Sequence, residues 1–309
     1  MNSQAGTMNG TGLGAQGAAP AMVAWMRPFY WSLRRELWEN RWIYLAPLAL
    51  AAVVLIGFVI TGAHHAAAKM PGLAGLDPMK QRDAIAEPYD IASGFLMAIA
   101  MIVAAFYSLS ALQGERRDRS ILFWKSMPVS DRTAVLAKAV IPIFLVQLFT
   151  VAVTVLLQFL MLLVNSAVLA ASGQSVAMLW RVMVPFQMWL MLFYHLMTVH
   201  SLWHAPFYGW MLLVSSWARR AAFLWAALPV VAIFALEKLL FGTRHFIDFL
   251  DYHLAGDAGF VFVRDFPTDP MTQLSPLHFL ISPGLWIGLA FTALCVAGAV
   301  RLRRQHGPL

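Results

Sequence analysis

The chain has 309 residues, of which 60% are hydrophobic and 12% charged, and its formal net charge is +7. Soluble domains carry about 25% charged residues, so this composition excludes an ordinary soluble protein and indicates a polytopic membrane protein. Its basic residues lie in short segments beside apolar runs, a pattern that is typical of membrane orientation signals and argues against a nucleic-acid partner.

The first 24 residues are rich in Gly and Ala and contain no apolar stretch behind a charged start. They therefore lack the pattern of a secretory signal peptide. We predict a disordered cytosolic tail over residues 1–24, a transmembrane domain over residues 25–305 and a short second tail over 306–309.

Polar residues recur at helical spacing just before the first apolar run, at Ser32, Arg35, Glu36 and Glu39. Apolar residues lie mostly on the opposite face, at Phe29, Tyr30, Leu33 and Leu37. This pattern predicts a helix in the inner membrane interface that leads into the first span. A plain juxtamembrane helix without any role in coupling fits the same pattern.

Crossing the bilayer core takes about 20 apolar residues in a helix. Five runs approach or exceed this length, namely 43–63, 91–112, 139–164, 221–241 and 279–300. A sixth run, 183–214, is too long for one straight span and contains Pro206, which predicts a kink near His204. One long kinked span and two shorter elements are both compatible with that run.

Basic residues predict the orientation of the six spans. With the N-terminus inside, 15 of the 22 Lys and Arg residues fall in inside segments, whereas 10 of the 15 acidic residues fall outside. The positive-inside rule therefore places both termini on the cytosolic side. We expect a multi-pass protein of the bacterial inner membrane.

The longest cytosolic connection between spans, residues 115–138, holds nine charged residues around an apolar centre of Ile121, Leu122, Phe123 and Trp124. Ser130 or Asp131 is suited to cap the helix that follows. A short amphipathic helix with an aromatic centre can dock in a groove of a cytosolic partner. A loop that only maintains topology would carry the same charges, but it would not need the apolar centre.

The residue order of this connection resembles the first cytosolic loop of type-2 ABC exporter permeases. An acidic residue opens the loop, a Ser follows, and then come an apolar pair, a Pro-Val-Ser run and a Lys: Glu115, Ser120, Phe123, Trp124, Pro128, Val129, Ser130 and Lys138. Residues 202–210 (LWHAPFYGW) and 216–220 (SWARR) are also similar to a subgroup of that family. The resemblance covers roughly residues 25–305.

This resemblance implies a membrane-spanning subunit that pairs with a second permease subunit, either identical or different, and with separate ATP-binding subunits. The loop would form a coupling helix, with ATPase-coupling residues Glu115, Ser120, Phe123, Trp124, Pro128 and Asp131. ATP would be bound by the partner and no cofactor by this chain, which is expected to have no catalytic residues. The sequence contains no G-x-x-x-x-G-K-[ST] run, which agrees with that division of labour.

Two functions of other classes stay open, a membrane metalloenzyme and a membrane scaffold. His245, Asp248 and His253 are the most plausible metal ligands, although aromatic residues alternate with them as in an interfacial or re-entrant helix. We therefore expect no bound metal. Glu237, near the outer end of the fifth span, is a candidate outer gate or simply a solvated carboxylate.

Three histidines lie on the fourth span, at His195, His200 and His204. The last two are four residues apart and so share a helix face. We expect them to provide polar packing between helices more readily than a metal or substrate site.

Overall fold

The computed structural model describes residues 21–73, 75–120, 122, 129–255 and 276–305. Regular structure within these ranges is entirely helical, and six helices are long and apolar enough to cross a membrane. The predicted all-α polytopic fold is thus confirmed. The predicted coupling residues Phe123, Trp124 and Pro128 lie outside the described residues, as do the predicted tails at residues 1–20 and 306–309.

The six spans are, in chain order, Trp42–Thr61, Pro78–Arg117, Asp131–Ala171, Ala177–Trp203, Ala222–Phe241 and Pro283–Gln305. The flanking helices are an N-terminal helix (Ala21–Glu39), a short helix (Ala63–Leu73), a central helix (Ala205–Trp217), an interspan helix (His245–Ala255) and a last short helix (Pro276–Ile281). The second span has 40 residues. At 1.5 Å per residue it is about 60 Å long, about twice the hydrocarbon core, so it extends well beyond the bilayer.

The N-terminal helix differs from its prediction in two ways. It begins at Ala21, within the stretch predicted as a tail over residues 1–24. Its polar face is also turned inward: Glu36 is 1% exposed, whereas Trp31 and Trp38 are 58% and 65% exposed. The reason is that this helix packs against the start of the third span, so Glu36 faces protein and Arg35 is largely covered, whereas Glu39 stays half-exposed.

The fourth span is interrupted where Pro206 predicted a kink. A π-helical stretch, Leu196–Trp203, ends the span, and the central helix begins anew at Ala205 with Pro206 in its first turn. Pro is tolerated there because its missing N–H would have no intrahelical partner. The break at His204 lies where the kink was predicted, and the central helix continues the run to the end of the second span, where Arg116 contacts Ser216. An earlier break, at the left-handed Val184 just before Pro185, was not predicted.

The central helix lies inside the bundle and packs against the sixth and second spans. Its close approach to the sixth span requires Gly209, because a Cβ there would lie 3.2 Å from the Cα of Thr292.

Span five, in contrast to the central helix, lies at the outside of the bundle. Only 6% of its apolar window is buried in the bundle, against 50% and 56% for spans two and three. Span five therefore turns most of its surface toward lipid or another subunit.

The order of the spans predicts which positions a reagent can reach. In a Cys295→Ala background, which removes the single cysteine, Ser175→Cys should react with a membrane-impermeant maleimide on intact cells, because residues 172–176 follow the third span. Gln305→Cys, behind the sixth span, should react only after permeabilisation. Both positions are exposed. Equal labelling of the two positions on intact cells would contradict the six-span arrangement with both termini inside.

Candidate functional site

Charged side chains from four helical elements meet at the end of the bundle that is predicted to face the cytosol. We call this group the ionic cluster, and its members are Arg35, Glu36, Glu115, Asp131, Lys138 and Arg303. Three are acidic and three basic, so the cluster as a whole is neutral. Burial of a single ion costs several kcal/mol, and close pairing with opposite charge is what offsets that cost.

Glu36 of the N-terminal helix lies at the centre of one half of the cluster. Its Oε1 accepts hydrogen bonds from Lys138 Nζ and from the Arg35 guanidinium, each at 2.6 Å. Its Oε2 accepts a 2.9 Å hydrogen bond from the Tyr107 hydroxyl. Burial alone would raise the pKa of Glu36, but the charges and hydrogen bonds of Lys138 and Arg35 outweigh burial and lower it. Glu36 is therefore a carboxylate at neutral pH.

Glu115, at the end of the second span, organises the other half. Its Oε1 lies 3.0 Å from an Arg35 nitrogen and 3.1 Å from Lys138 Nζ, and its Oε2 pairs with Arg303 of the sixth span. Arg303 also donates from Nε to Asp131 Oδ1 at 3.1 Å. Since Glu115 and Asp131 flank the cytosolic connection, one arginine holds both of its ends.

The start of the third span shows how local sequence frees Asp131 for this contact. Ser130 is the N-cap residue: its hydroxyl accepts a 3.1 Å hydrogen bond from the Thr133 amide. The cap that the sequence left open between Ser130 and Asp131 thus belongs to Ser130. Asp131, in the first helical turn, keeps its carboxylate for Arg303.

Two of the six predicted coupling residues, Glu115 and Asp131, are joined by the structure through Arg303. Ser120 lies apart from the charges, where its hydroxyl makes a long 3.4 Å contact to the Glu115 carbonyl oxygen. Sequence analysis missed the roles of Glu36, Tyr107 and Arg303. For Arg303 the available signal was a basic residue directly beside an apolar run, which is more often an orientation signal than a buried partner.

A second contact fixes the same end of the second span. Arg116, next to Glu115, is 5% exposed and donates to the Ser216 carbonyl oxygen at 2.8 Å. Ser216 belongs to the last turn of the central helix, whose terminal carbonyls have no intrahelical partners. Arg116 therefore ties the cytosolic connection to the centre of the bundle as well.

Deeper in the bundle, polar side chains join the second and third spans. Gln158 Nε2 donates to Ser93 Oγ at 2.7 Å, and Asn165 Nδ2 lies 3.3 Å from the Tyr89 hydroxyl. Side-chain hydrogen bonds of this kind hold transmembrane helices together. They explain polar residues inside these spans without requiring a substrate pocket.

The histidines of the fourth span form a row whose last member, His204, contacts the interspan helix. His195 and His200 have ring centroids 5.3 Å apart, and His200 and His204 are 5.2 Å apart. His204 Nε2 donates to the Leu254 carbonyl oxygen at 3.2 Å, and His253 stacks on Trp203 at 5.6 Å. These contacts are the polar and aromatic packing that the sequence favoured.

The residues proposed as metal ligands in the alternative function are arranged differently from a metal site. His253 is buried against Trp203, whereas His245 and Asp248 are exposed on the interspan helix. Across the described ranges, no group of three His, Cys, Asp or Glu side chains is placed to hold one metal ion. The geometry thus gives no support to a metalloenzyme at these residues.

Glu237, the candidate outer gate, holds the start of the interspan helix. Its carboxylate accepts hydrogen bonds from the Thr243 hydroxyl at 2.6 Å and from the His245 and Phe246 amides at 2.6 and 2.9 Å. These are amides of the first helical turn, which otherwise have no intrahelical partner. Glu237 therefore has a structural contact in its own right, and its role as a gate stays a prediction.

No protein-family model matches the chain. No curated protein matches it either.

Glu36→Gln should destabilise the detergent-solubilised protein at neutral pH, because it removes one of two carboxylates that neutralise buried Lys138. Breaking a buried ion pair typically costs about 3–5 kcal/mol, and we expect the lower end because Glu115 still pairs with Lys138. Since the folded pKa of Glu36 lies below its ordinary value of 4.5, this contribution is present above that pH and is lost as the pH falls below it. The difference in Tm between wild type and variant should be constant from about pH 5 to 8 and shrink in more acidic buffer.

Glu39→Gln is the matched control, three residues along the same helix. The Glu39 side chain is 52% exposed, and burial, opposed by Arg35, raises its pKa. A raised carboxyl pKa means that ionisation does not stabilise the fold, so this variant should not lower Tm at neutral pH. An equal loss of Tm in both variants, or a Glu36→Gln difference that persists unchanged at pH 3, would show that the proposed charge pairing is wrong.

Proposed function

We propose that this chain is the membrane-spanning permease subunit of an ABC exporter, located in the bacterial inner membrane and driven by a separate ATP-binding subunit. The observation that carries the proposal is the ionic cluster. It joins both ends of the predicted coupling connection, at Glu115 and Asp131, to the sixth span and the N-terminal helix. This arrangement adds a physical route for coupling to the resemblance of the connection itself.

The route works through the cost of separating buried charges. If a partner displaced the cytosolic connection, Glu115 and Asp131 would carry Arg303 with them, because an unpaired buried charge costs several kcal/mol. Lys138 and Arg35 would transmit the same displacement to the third span and the N-terminal helix. Spans two, three and six would then respond to the partner together, which is what a two-state rearrangement of access requires.

Span five supports the assembly side of the proposal. Most of its apolar surface is exposed, with Val231, Leu239 and Phe241 at 61%, 82% and 74%. A second permease subunit, identical or different, would cover such a surface in a pair of subunits with the substrate path between them. In this proposal the chain performs no covalent chemistry and binds no cofactor, and ATP binding and hydrolysis belong to the partner.

Affinity purification of the tagged chain from its native membranes tests the proposal. A soluble ATPase should co-purify, and the complex should change its protease sensitivity when ATP is added. A stable complex that does not respond to nucleotide would instead favour the scaffold. Absence of any ATPase from gently solubilised membranes, together with retention of a metal ion and a hydrolytic activity, would favour the metalloenzyme.

Phe123→Ala combined with Trp124→Ala should release the ATPase while leaving the chain in the membrane. Aromatic side chains in a docking patch commonly contribute about 2 kcal/mol or more each, which is about thirtyfold in affinity. Co-purification of the ATPase measures the effect, and Arg117→Ala, which removes an exposed charged side chain of the same connection outside its apolar centre, is the control. Full ATPase association in the double variant would leave the connection as a topology signal only.

Asp131→Asn should separate docking from coupling. It removes the negative charge that Arg303 contacts at the far end of the connection but leaves the ion pair with Glu115. We expect the ATPase to remain bound while transport per ATP hydrolysed falls severalfold. Asp118→Asn is the matched control, because Asp118 is exposed and pairs only with the exposed Arg117 among the described residues. Equal transport per ATP hydrolysed in the two variants would exclude the pairing of Arg303 with Asp131 as the link between the connection and the sixth span.

A further inference from the structure

A groove runs along the outside of the bundle between the start of the third span and the end of the sixth. Its volume is about 640 Å³, and its lining residues are Arg132, Leu136, Ala293, Val296, Ala297, Val300, Arg301 and Arg304. Nothing in the proposed transport function uses this groove. It lies on the opposite side of the sixth span's end from Arg303, which points into the ionic cluster.

The floor of the groove is apolar because small side chains recur on the sixth span. Ala293 and Ala297 are four residues apart and so lie on one helix face, and Leu136 of the third span forms the facing wall. Leu136 is 40% exposed, so the groove is open from the lipid side. An acyl chain is the kind of ligand that fits a narrow apolar trough reached from the bilayer.

One end of the groove is strongly basic. Arg132 lies in the first turn of the third span, Arg301 and Arg304 lie three residues apart near the end of the sixth, and all three line the groove. All three are exposed, and none forms an ion pair with a carboxylate within the described ranges. The nearby carboxylates of Glu115 and Asp131 are already bound by Arg303. The three positive charges are therefore available to an anion.

The length of the groove matches one leaflet. From Ala293 to Arg304 the sixth span advances 11 residues. At 1.5 Å per residue this is about 16 Å, about half of the hydrocarbon core. A ligand in this groove would have its apolar part at acyl-chain depth and its anionic part at the headgroup level of the leaflet that is predicted to be cytosolic.

We propose that this groove binds an anionic phospholipid, with an acyl chain along Ala293, Ala297 and Leu136 and the phosphate between Arg132, Arg301 and Arg304. Arginine forms two-pronged hydrogen bonds with phosphate oxygens, and basic pockets between transmembrane helices on the cytosolic side suit anionic headgroups. A soluble phosphate would not need the apolar floor, and a zwitterionic lipid would leave the excess positive charge unmatched. The inference does not depend on the transport function.

The test measures lipid retained by the purified full-length chain, using native mass spectrometry after addition of dioleoyl phosphatidylglycerol or dioleoyl phosphatidylcholine. Phosphatidylglycerol should bind in preference to phosphatidylcholine. Each arginine near an anionic headgroup contributes roughly fivefold in affinity, so Arg301→Ala with Arg304→Ala should weaken phosphatidylglycerol binding roughly twenty-five-fold. Arg219→Ala with Arg220→Ala removes the same charge from an exposed cytosolic pair away from the groove, and should change binding less than twofold.

A second pair of variants tests the apolar floor with the arginines intact. Ala297→Phe should fill the groove and weaken binding at least severalfold, whereas Leu294→Phe, at a 72% exposed position of the same helix outside the groove, should leave binding unchanged. Inorganic phosphate at millimolar concentration should not compete with the lipid. Each variant is first checked for an unchanged elution volume and Tm, so that lost binding is not lost folding.

Three results would overturn the proposal. One is equal retention of the two lipids, and another is equal loss of binding in the groove and control arginine variants. The third is efficient competition by inorganic phosphate together with normal binding in Ala297→Phe, which would show an anion site that does not use the groove.

Discussion

Neutralisation of two buried glutamates is the constraint on which the end of the bundle that carries the ionic cluster depends. Glu36 and Glu115 come from different helices, and Lys138 Nζ contacts both of them. Because a buried carboxylate without a cation is too costly to persist, the third span must begin, and the sixth must end, at the depth where Lys138 and Arg303 can reach these oxygens. Charge pairing thereby sets the relative heights of helices whose apolar contacts alone would permit sliding.

Much of the fold could be predicted because lipid requires every span to be apolar over a sufficient length. Hydropathy marks only the membrane-embedded part of a helix, however, and it gives no information about where the helix ends. The predicted span 91–112 is the apolar middle of the helix Pro78–Arg117. Its earlier turns place Ile85 and Tyr89 in the protein core, so they are stabilised by packing and carry only a weak hydropathy signal.

Less of the site could be predicted, because its pairs join residues that are distant in sequence. Glu115 and Arg303 are 188 positions apart, and no local pattern connects them. Arg301, Arg303 and Arg304 contribute equally to the positive-inside count. Yet Arg303 is 4% exposed, whereas the side chains of Arg301 and Arg304 are exposed. Resemblance to a family located Glu115 and Asp131. Only tertiary structure could distinguish the arginine that binds them from the two that line the groove.

Helical geometry at the end of the sixth span links the ionic cluster to the groove. Arg301 and Arg304 share one face of this helix, and Arg303 lies on another. A lipid headgroup bound in the groove would therefore restrain the same helix end that pairs with Glu115 and Asp131 in the ionic cluster. A lipid affects a conformational equilibrium only through a difference in its affinity for the two states. If nucleotide binding in a partner moves this helix end, the groove changes shape with it. If nucleotide binding thereby changes the affinity of the groove for lipid by some factor, linkage requires that bound lipid change the affinity for nucleotide by that same factor. The anionic lipid content of the bilayer then becomes part of the coupling free energy.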